Sequence, residues 1–566
     1  MKRILTIPAL LVTMMLSAAP VGEKKARELA EAFFNDCSPT RSVTAGAELS
    51  EDLGLDNNVY VYNRQDGGFV VIAGDDRYVP VIAYSFDGTI DPDNMPPAAS
   101  HLLRCWSDQI ASGYSSTRAT TSTGTGNVVC KYETPLWGQA EPFNWEAPVI
   151  SNQRCLTGCV ATAAAIVLYY NKWPLKGFGT VPSYVFGSWR VPENELGRSY
   201  DYANMMMDYS GSYTSAQGNA VAALMFDLGT SVRMSYGLSA SSASSRDIAL
   251  ALSTYFSYSK SATLVSADMY DDRGWIEALQ NNLRQCGPTI VNGVSPDGGH
   301  AFIVDGYTDK GYFSVNFGWN GFSNGYFLMP SIEYNRSQGA IFDLVPDKTG
   351  ASSYVDNLEL IPLYGNDDQL VYSGLSISSA EYTPGASYTC QIGGLMNCGQ
   401  VVFNGKFKLA VCDRQGNIRN SLTNEISLSD LKLSYYIKYS SIPIVLPLSF
   451  QDGDRIRLMY KGQYSDTWKW ARRSDPAVCD EILLSASPEE ISEALGLKYS
   501  KTAKTIVLKP DIPVGYNLLD SKSTVVASGK VGRGQESAID VSGLQAGDYL
   551  LSVTCGGQPY KLSLTL

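Results

Sequence analysis

Histidine is almost missing from this chain: 566 residues contain two, His101 and His300. A multi-histidine zinc site cannot be built from two rings, and the HExxH pattern is absent, so the sequence calls for no metal and no cofactor. Any chemistry that needs an imidazole must use one of these two side chains. Surplus positive charge is missing as well. Basic residues number 44 against 56 acidic ones, a net charge of -12, which excludes a nucleic-acid partner because phosphate contacts need a basic surface. No apolar run is long enough to cross a bilayer, so no transmembrane segment is expected. Cysteine is sparse, at eleven residues, too few for a disulfide-stapled scaffold of this length. The odd count leaves at least one sulfur without an intrachain partner.

What is present can fold. Apolar residues make up 44% and charged residues 18%, enough to bury large cores, and the length predicts about four domains. Abundant glycine and tyrosine point to β-structure with tight turns. Lys2 and Arg3, the apolar run Ile4 to Leu16 and the small residues Ser17-Ala18-Ala19 have the form of a secretory signal over 1–19, so the protein is expected to be secreted or held at the cell surface.

The pattern then divides. Residues 20–113 carry an amphipathic helix (Ala26, Leu29, Ala30, Phe33), three strand-like runs and a second helical pattern with Leu102, Leu103, Trp106 and Ile110. Residues 114–127 are small and polar, a linker open to proteolysis, with Arg118 inside it. Residues 128–347 mix helices and strands. Beyond them, short alternating runs predict two all-β sandwich-like modules, 350–485 and 497–566, separated by a short helix that Ser487-Pro488-Glu489-Glu490 opens and Gly496 ends.

Two segments could carry chemistry. In Leu156-Thr157-Gly158-Cys159 and the apolar run after it, Thr157 reads as the cap of a buried helix with Cys159 in its first turn. There the helix dipole favours a thiolate and free N–H groups can hold an oxyanion. The same segment read alone also fits a core cysteine packed like alanine. Further on, Pro288 to Val294 reads as a strand, Ser295 to Gly299 as a loop, and His300 to Tyr307 as the next strand. His300 then stands at the mouth of a meander, where an imidazole could serve a thiol as base and acid. Gln139 could donate an amide to an oxyanion; Asn316 and Trp319 could orient or cover the imidazole.

Thr157 to Ala163, Gly299-His300-Ala301-Phe302 and Asn316-Phe317-Gly318-Trp319-Asn320-Gly321 together resemble the streptopain family of papain-like cysteine proteases. Ala220 to Gly237 resembles that family's internal helix and turn. Gly67 to Val71, Gly74-Asp75-Asp76-Arg77 and Asp91 to Asn94 resemble its inhibitory propeptide. The resemblance implies an α+β fold: a papain-like catalytic domain with an α+β propeptide, followed here by the two β modules. It implies Cys159 as nucleophile, His300 as general acid/base, Gln139 completing an oxyanion hole with the Cys159 amide, and Asn316 and Trp319 orienting His300. Two departures stand out: Phe317 where the family usually has tryptophan, and Asn320 where it has glycine.

The expected protein is therefore a cysteine endopeptidase zymogen that hydrolyses protein or peptide substrates through an acyl-enzyme. Its own propeptide would act as intramolecular inhibitor and be cut off in the linker. His101 would leave with that propeptide, as a helix-surface residue without a catalytic role. Two other readings share these residues: a surface-binding protein that keeps the protease fold as scaffold, and a Cys–His amidase acting on cell-wall peptides. At the C-terminus, Leu544 to Val553 resembles the end of type IX secretion sorting domains.

Overall fold

The computed structural model describes residues 20–37, 43–44, 53–65, 67–113, 125–295, 298–331, 335, 337–365, 369–377, 382–451, 453–475, 477–485, 495–500, 504–510, 514–531, 537–555 and 558–566. The signal segment, most of the linker with Arg118, and the helix expected at 487–496, except for its last residues, lie outside them.

One antiparallel sheet of eleven strands organises the first 347 residues. The leader supplies α1 (Glu23–Cys37), β1 (Val43–Thr44), β2 (Val59–Arg64), β3 (Phe69–Ala73), β4 (Val81–Ser85) and α2 (Pro97–Ala111). After the linker come β5 (Val128–Lys131), α3 (Cys159–Asn171), α4 (Ser215–Ser231), α5 (Arg246–Tyr255), β6 (Thr263–Ser266) and α6 (Asp272–Cys286). The strands β7 (Thr289–Ser295), β8 (Gly298–Thr308), β9 (Phe313–Asn316), β10 (Gly325–Phe327) and β11 (Gly339–Phe342) complete the unit. The strand order is β1-β2-β3-β4-β10-β9-β8-β7-β11-β6, with β5 added on β8.

The leader thus does not rest on the rest of the molecule as a separate body. Its β4 pairs with β10, Tyr84 opposite Tyr326 and Ala83 opposite Phe327, so the two parts share one hydrogen-bonded ladder. Tyr84 stacks on Tyr326 at 5.1 Å. Around the joint, Tyr312 donates to the Val81 carbonyl at 2.7 Å and the Trp106 indole to the Leu328 carbonyl at 2.9 Å. Gly325 is required for this approach: a Cβ there would stand 2.6 Å from the Tyr84 carbonyl oxygen and 2.8 Å from Phe69.

Strand alternation sorts side chains to two cores. Val291, Phe302 and Val304 join leader residues such as Phe69 and Leu103 in one cluster. Ile290, Ala301 and Ile303 face the other way, onto α3, α4 and α5. Helix α3 is apolar on every side because it is buried on nearly every side; Val160 to Tyr169 are all buried.

The β regions follow the sequence pattern. A five-stranded and a six-stranded sheet enclose a core that includes Leu360, Leu395, Phe407 and Leu458. Past residue 497, a three-stranded and a four-stranded sheet share a smaller core with Ile506, Leu518 and Leu551. The larger β region is docked at the β6 end of the main sheet. Arg246 on α5 pairs with the buried Glu359 at 3.1 Å, and Arg473 donates to the Asp268 carbonyl at 3.2 Å. Nine cysteines lie among the described side chains, and all nine are free thiols. No helix among the described residues is long and apolar enough to cross a membrane.

Candidate active site

Cys159 is the first residue of α3, as the sequence suggests, but the cap is Gly158 rather than Thr157. The chain enters the helix at φ 87°, a left-handed conformation that favours glycine, and a Cβ on Gly158 would lie 2.7 Å from the Met234 sulfur. Thr157 is turned inward instead. Its hydroxyl meets the Thr162 hydroxyl at 3.1 Å, and its amide donates to the Gln139 carbonyl at 3.0 Å. That last bond fixes Gln139 beside the start of α3. Gln139 is buried, and its carboxamide makes no hydrogen bond among the described residues.

The Cys159 sulfur accepts a hydrogen bond from the Ala301 amide at 3.4 Å, which brings β8 to the helix terminus. Burial pushes the thiol above its ordinary pKa, against the opposing pull of the Ala301, Val160 and Cys159 amides. An amide pointing at sulfur favours the thiolate, but here desolvation is the larger effect.

His300 is next in sequence to Ala301 yet belongs to the other face. The β7–β8 register is regular from Thr289 opposite Val304 to Ser295 opposite Gly298. His300 therefore shares the leader side with Phe302 and Val304. Gly298 and Gly299 are paired strand residues, not the loop that the sequence suggested. The residue opposite His300 is Gly293, and the nearest side chain to a Cβ built there is the His101 ring, at 3.7 Å. His101 is thus no helix-surface residue. It is half-buried in the joint between α2 and β7, its Nε2 lying 3.2 Å from Asn335 Oδ1 and 3.6 Å from the Cys105 sulfur. His101 thus packs against the strand position that pairs with His300.

Asn316, expected to orient His300, has its carboxamide bound elsewhere. Nδ2 donates to Thr134 Oγ1 at 3.0 Å and to the Pro135 carbonyl at 2.9 Å, while Oδ1 accepts from the Gly318 amide at 3.0 Å. Phe317 is buried between Phe302 and Phe327, with ring centroids 5.7 and 5.5 Å away. Trp319 is half-buried and leans on the same leader-side cluster. Asn320 takes up a left-handed conformation (φ 53°), which asparagine tolerates, and its carboxamide lies over Gly138 beside Gln139. The structure therefore gathers Cys159, Gln139, the Ala301 amide and the 316–320 turn, and places the His300 side chain on the leader side.

Comparison with known proteins bears on this arrangement. The sequence model of the Spi protease inhibitor matches residues 18–110, and that of the Peptidase C10 family matches residues 137–327. Streptopain of Streptococcus pyogenes is 31% identical over 345 residues, spanning 55% of this chain and 85% of that protein. The chain belongs to the streptopain family. A second relative within this group of thiol proteases is the thiol protease/hemagglutinin PrtT of Porphyromonas gingivalis. It is 29% identical over 422 residues, covering 67% of this chain and 48% of that protein. Among solved structures, the prointerpain A fragment of Prevotella intermedia is 32% identical, with a TM-score of 0.43, covering 53% of this chain and 97% of that one. As a streptopain-family member with its own inhibitor domain, the chain is a cysteine protease in zymogen form, and the α+β fold expected for it is the one observed.

Two residues of the site were not singled out from sequence: Thr134 and Asp305, which tie Asn316 to β8. A signal existed. Asp305 interrupts the run Ala301-Phe302-Ile303-Val304, and an acid inside an apolar strand needs a buried partner.

Proposed function

We propose that the protein is an exported cysteine endopeptidase whose nucleophile is Cys159 and whose leader holds it latent. The observation that carries this reading is the placement of Cys159 at the α3 N-terminus, with the main chain of Gln139 bonded to Thr157 just before it and the strand of His300 bonded to its sulfur. Once the leader departs, the β7–β8 hairpin is free to bring the imidazole to the thiol. His300 takes the Cys159 proton, the thiolate attacks a peptide carbonyl, Gln139 and the Cys159 amide hold the oxyanion, and the imidazolium gives its proton to the leaving amine before water releases the acyl-enzyme. Asn316 and Trp319 act on the frame that holds these groups. Protein or peptide chains are the substrates. Maturation cuts within 114–127, the signal over 1–19 directs export, and the final β module over 497–566 serves sorting.

Labelling the matured protein with an epoxide that alkylates papain-like thiols, then mapping the adduct, tests the assignment. Modification at Cys159, absent from the Cys159→Ala variant, is the expected result. A folded, matured sample that resists the reagent or carries the adduct on another cysteine overturns it.

A further inference from the structure

Asp305 is a buried acid in the middle of β8 that none of the steps above uses. It is 2% exposed. Its Oδ2 accepts from Lys131 Nζ at 2.9 Å and from the Thr134 hydroxyl at 2.5 Å, and its main-chain oxygen accepts from the Tyr132 amide at 2.7 Å. Because the Thr134 proton is directed to Asp305, a lone pair of the same oxygen is left for Asn316 Nδ2 at 3.0 Å. Asn316 then clasps the Pro135 carbonyl and the Gly318 amide. Two residues on, the Asn320 amide donates to the Trp137 carbonyl at 3.1 Å. The segment 131–139 is laced at one end to β8, along its length to the 316–320 turn, and at Gln139 to the start of α3.

The remaining Asp305 oxygen, Oδ1, is buried and has no hydrogen-bond partner among the described residues. A carboxylate kept to hold strands together has no reason to leave an oxygen orphaned, since such an atom destabilises the fold. Violations of this kind collect where geometry is maintained for function. The geometry points to Asp305 as a positioning residue. Through Thr134 and Asn316 it sets the distance between the strand that bears His300 and the segment that bears Gln139, and so holds the Gln139 carboxamide where the oxyanion forms. This inference rests on the role proposed above for Gln139.

Thr134→Val keeps the shape and removes the hydroxyl that links Asp305 to Asn316. In the matured full chain, hydrolysis of a fluorogenic peptide with a hydrophobic residue two places before the cut should lose about a hundredfold in kcat, the effect of misplacing a catalytic group by about 1 Å. KM should change less than about threefold, because uniform binding is untouched. Affinity for a peptide aldehyde, whose adduct carries the oxyanion, should fall in step with kcat. Alkylation of Cys159 by iodoacetamide, which forms no oxyanion, should keep its rate. Thr134→Ser, which restores the hydroxyl, should recover activity, and Thr134→Val added to Gln139→Ala should cause little further loss. Additive losses in that pair, a Thr134→Ser variant as poor as Thr134→Val, or an equal loss in alkylation overturns the inference; so does normal kcat in Thr134→Val when Gln139→Ala is crippled. Should Thr134→Val not fold, the Thr134→Ser and Asp305→Asn variants decide, since both retain an acceptor and donor in the relay and should keep aldehyde affinity and kcat in proportion. Unchanged kcat in Gln139→Ala itself sinks the oxyanion assignment rather than the relay alone.

Discussion

Replacing Gly325 by alanine should act on the two parts of the zymogen with opposite signs. The atoms nearest to the added methyl group all belong to the leader: the Tyr84 carbonyl oxygen at 2.6 Å, Phe69 Cζ at 2.8 Å and Ser85 Cβ at 3.2 Å. The first is backbone within the β4–β10 ladder and cannot swing aside. Overpacking of this kind costs about 1–3 kcal/mol. Borne by the interface, that is a weakening of leader binding by about five- to a hundred-and-fifty-fold. The residue is not in the left-handed region, so without the leader alanine suits the strand and restricts the unfolded chain, a gain of about 0.4–1 kcal/mol. The assay takes full-length protein in a Cys159→Ala background, so that the enzyme cannot digest its own leader. The linker is opened with an added protease, and leader retention is followed by gel filtration over a dilution series. Gly325→Ala should release the leader at higher concentration than its parent, while the melting temperature of the separated remainder holds or rises. Unchanged retention, or a remainder that melts earlier, would refute the reasoning.

Two further outcomes follow from the site and its cover. Gly158→Ala places a side chain at φ 87° against the Met234 sulfur and should destabilise by about 1–3 kcal/mol, read as a lower melting temperature with slower epoxide labelling of Cys159. Burial raises the Cys105 thiol from an ordinary value near 9 to about 12. The folded state thus keeps a proton that the unfolded state loses first. Its contribution is complete below pH 9 and is lost toward pH 12 at about 1.4 kcal/mol per pH unit, so Cys105→Ala should flatten that part of the stability profile in urea titrations.

Much of the framework was legible because it rests on periodicity. The spacing of Ala26, Leu29, Ala30 and Phe33 gave α1, and Cys159 did open the apolar helix it precedes. What escaped were features set by a second segment of chain. Thr157 has the chemistry of a cap, but the left-handed entry at Gly158 turns its hydroxyl toward Thr162 instead. Gly298-Gly299 has the composition of a loop, yet pairing with Val294 and Ser295 extends the strand through it. The side of the sheet on which His300 falls depends on register, and one residue of slip would have moved it to α3. Asn316 could be placed near the site from sequence, but Thr134 as its partner could not, because 182 positions separate them.

The shared ladder gives maturation a topology. On the proposed route, scission within 114–127 breaks none of the hydrogen bonds between β4 and β10, so cutting and unzipping are separate events, and a nicked protein still carries its cover. Unzipping then leaves β10 as a raw margin of the sheet, its outward N–H and C=O groups open and Phe327, Leu328 and Met329 stripped of their leader neighbours. A margin of that kind recruits other chains and seeds aggregation. The leader therefore shields the molecule from its own kind as well as shielding proteins from the enzyme, and it does both with the same strand.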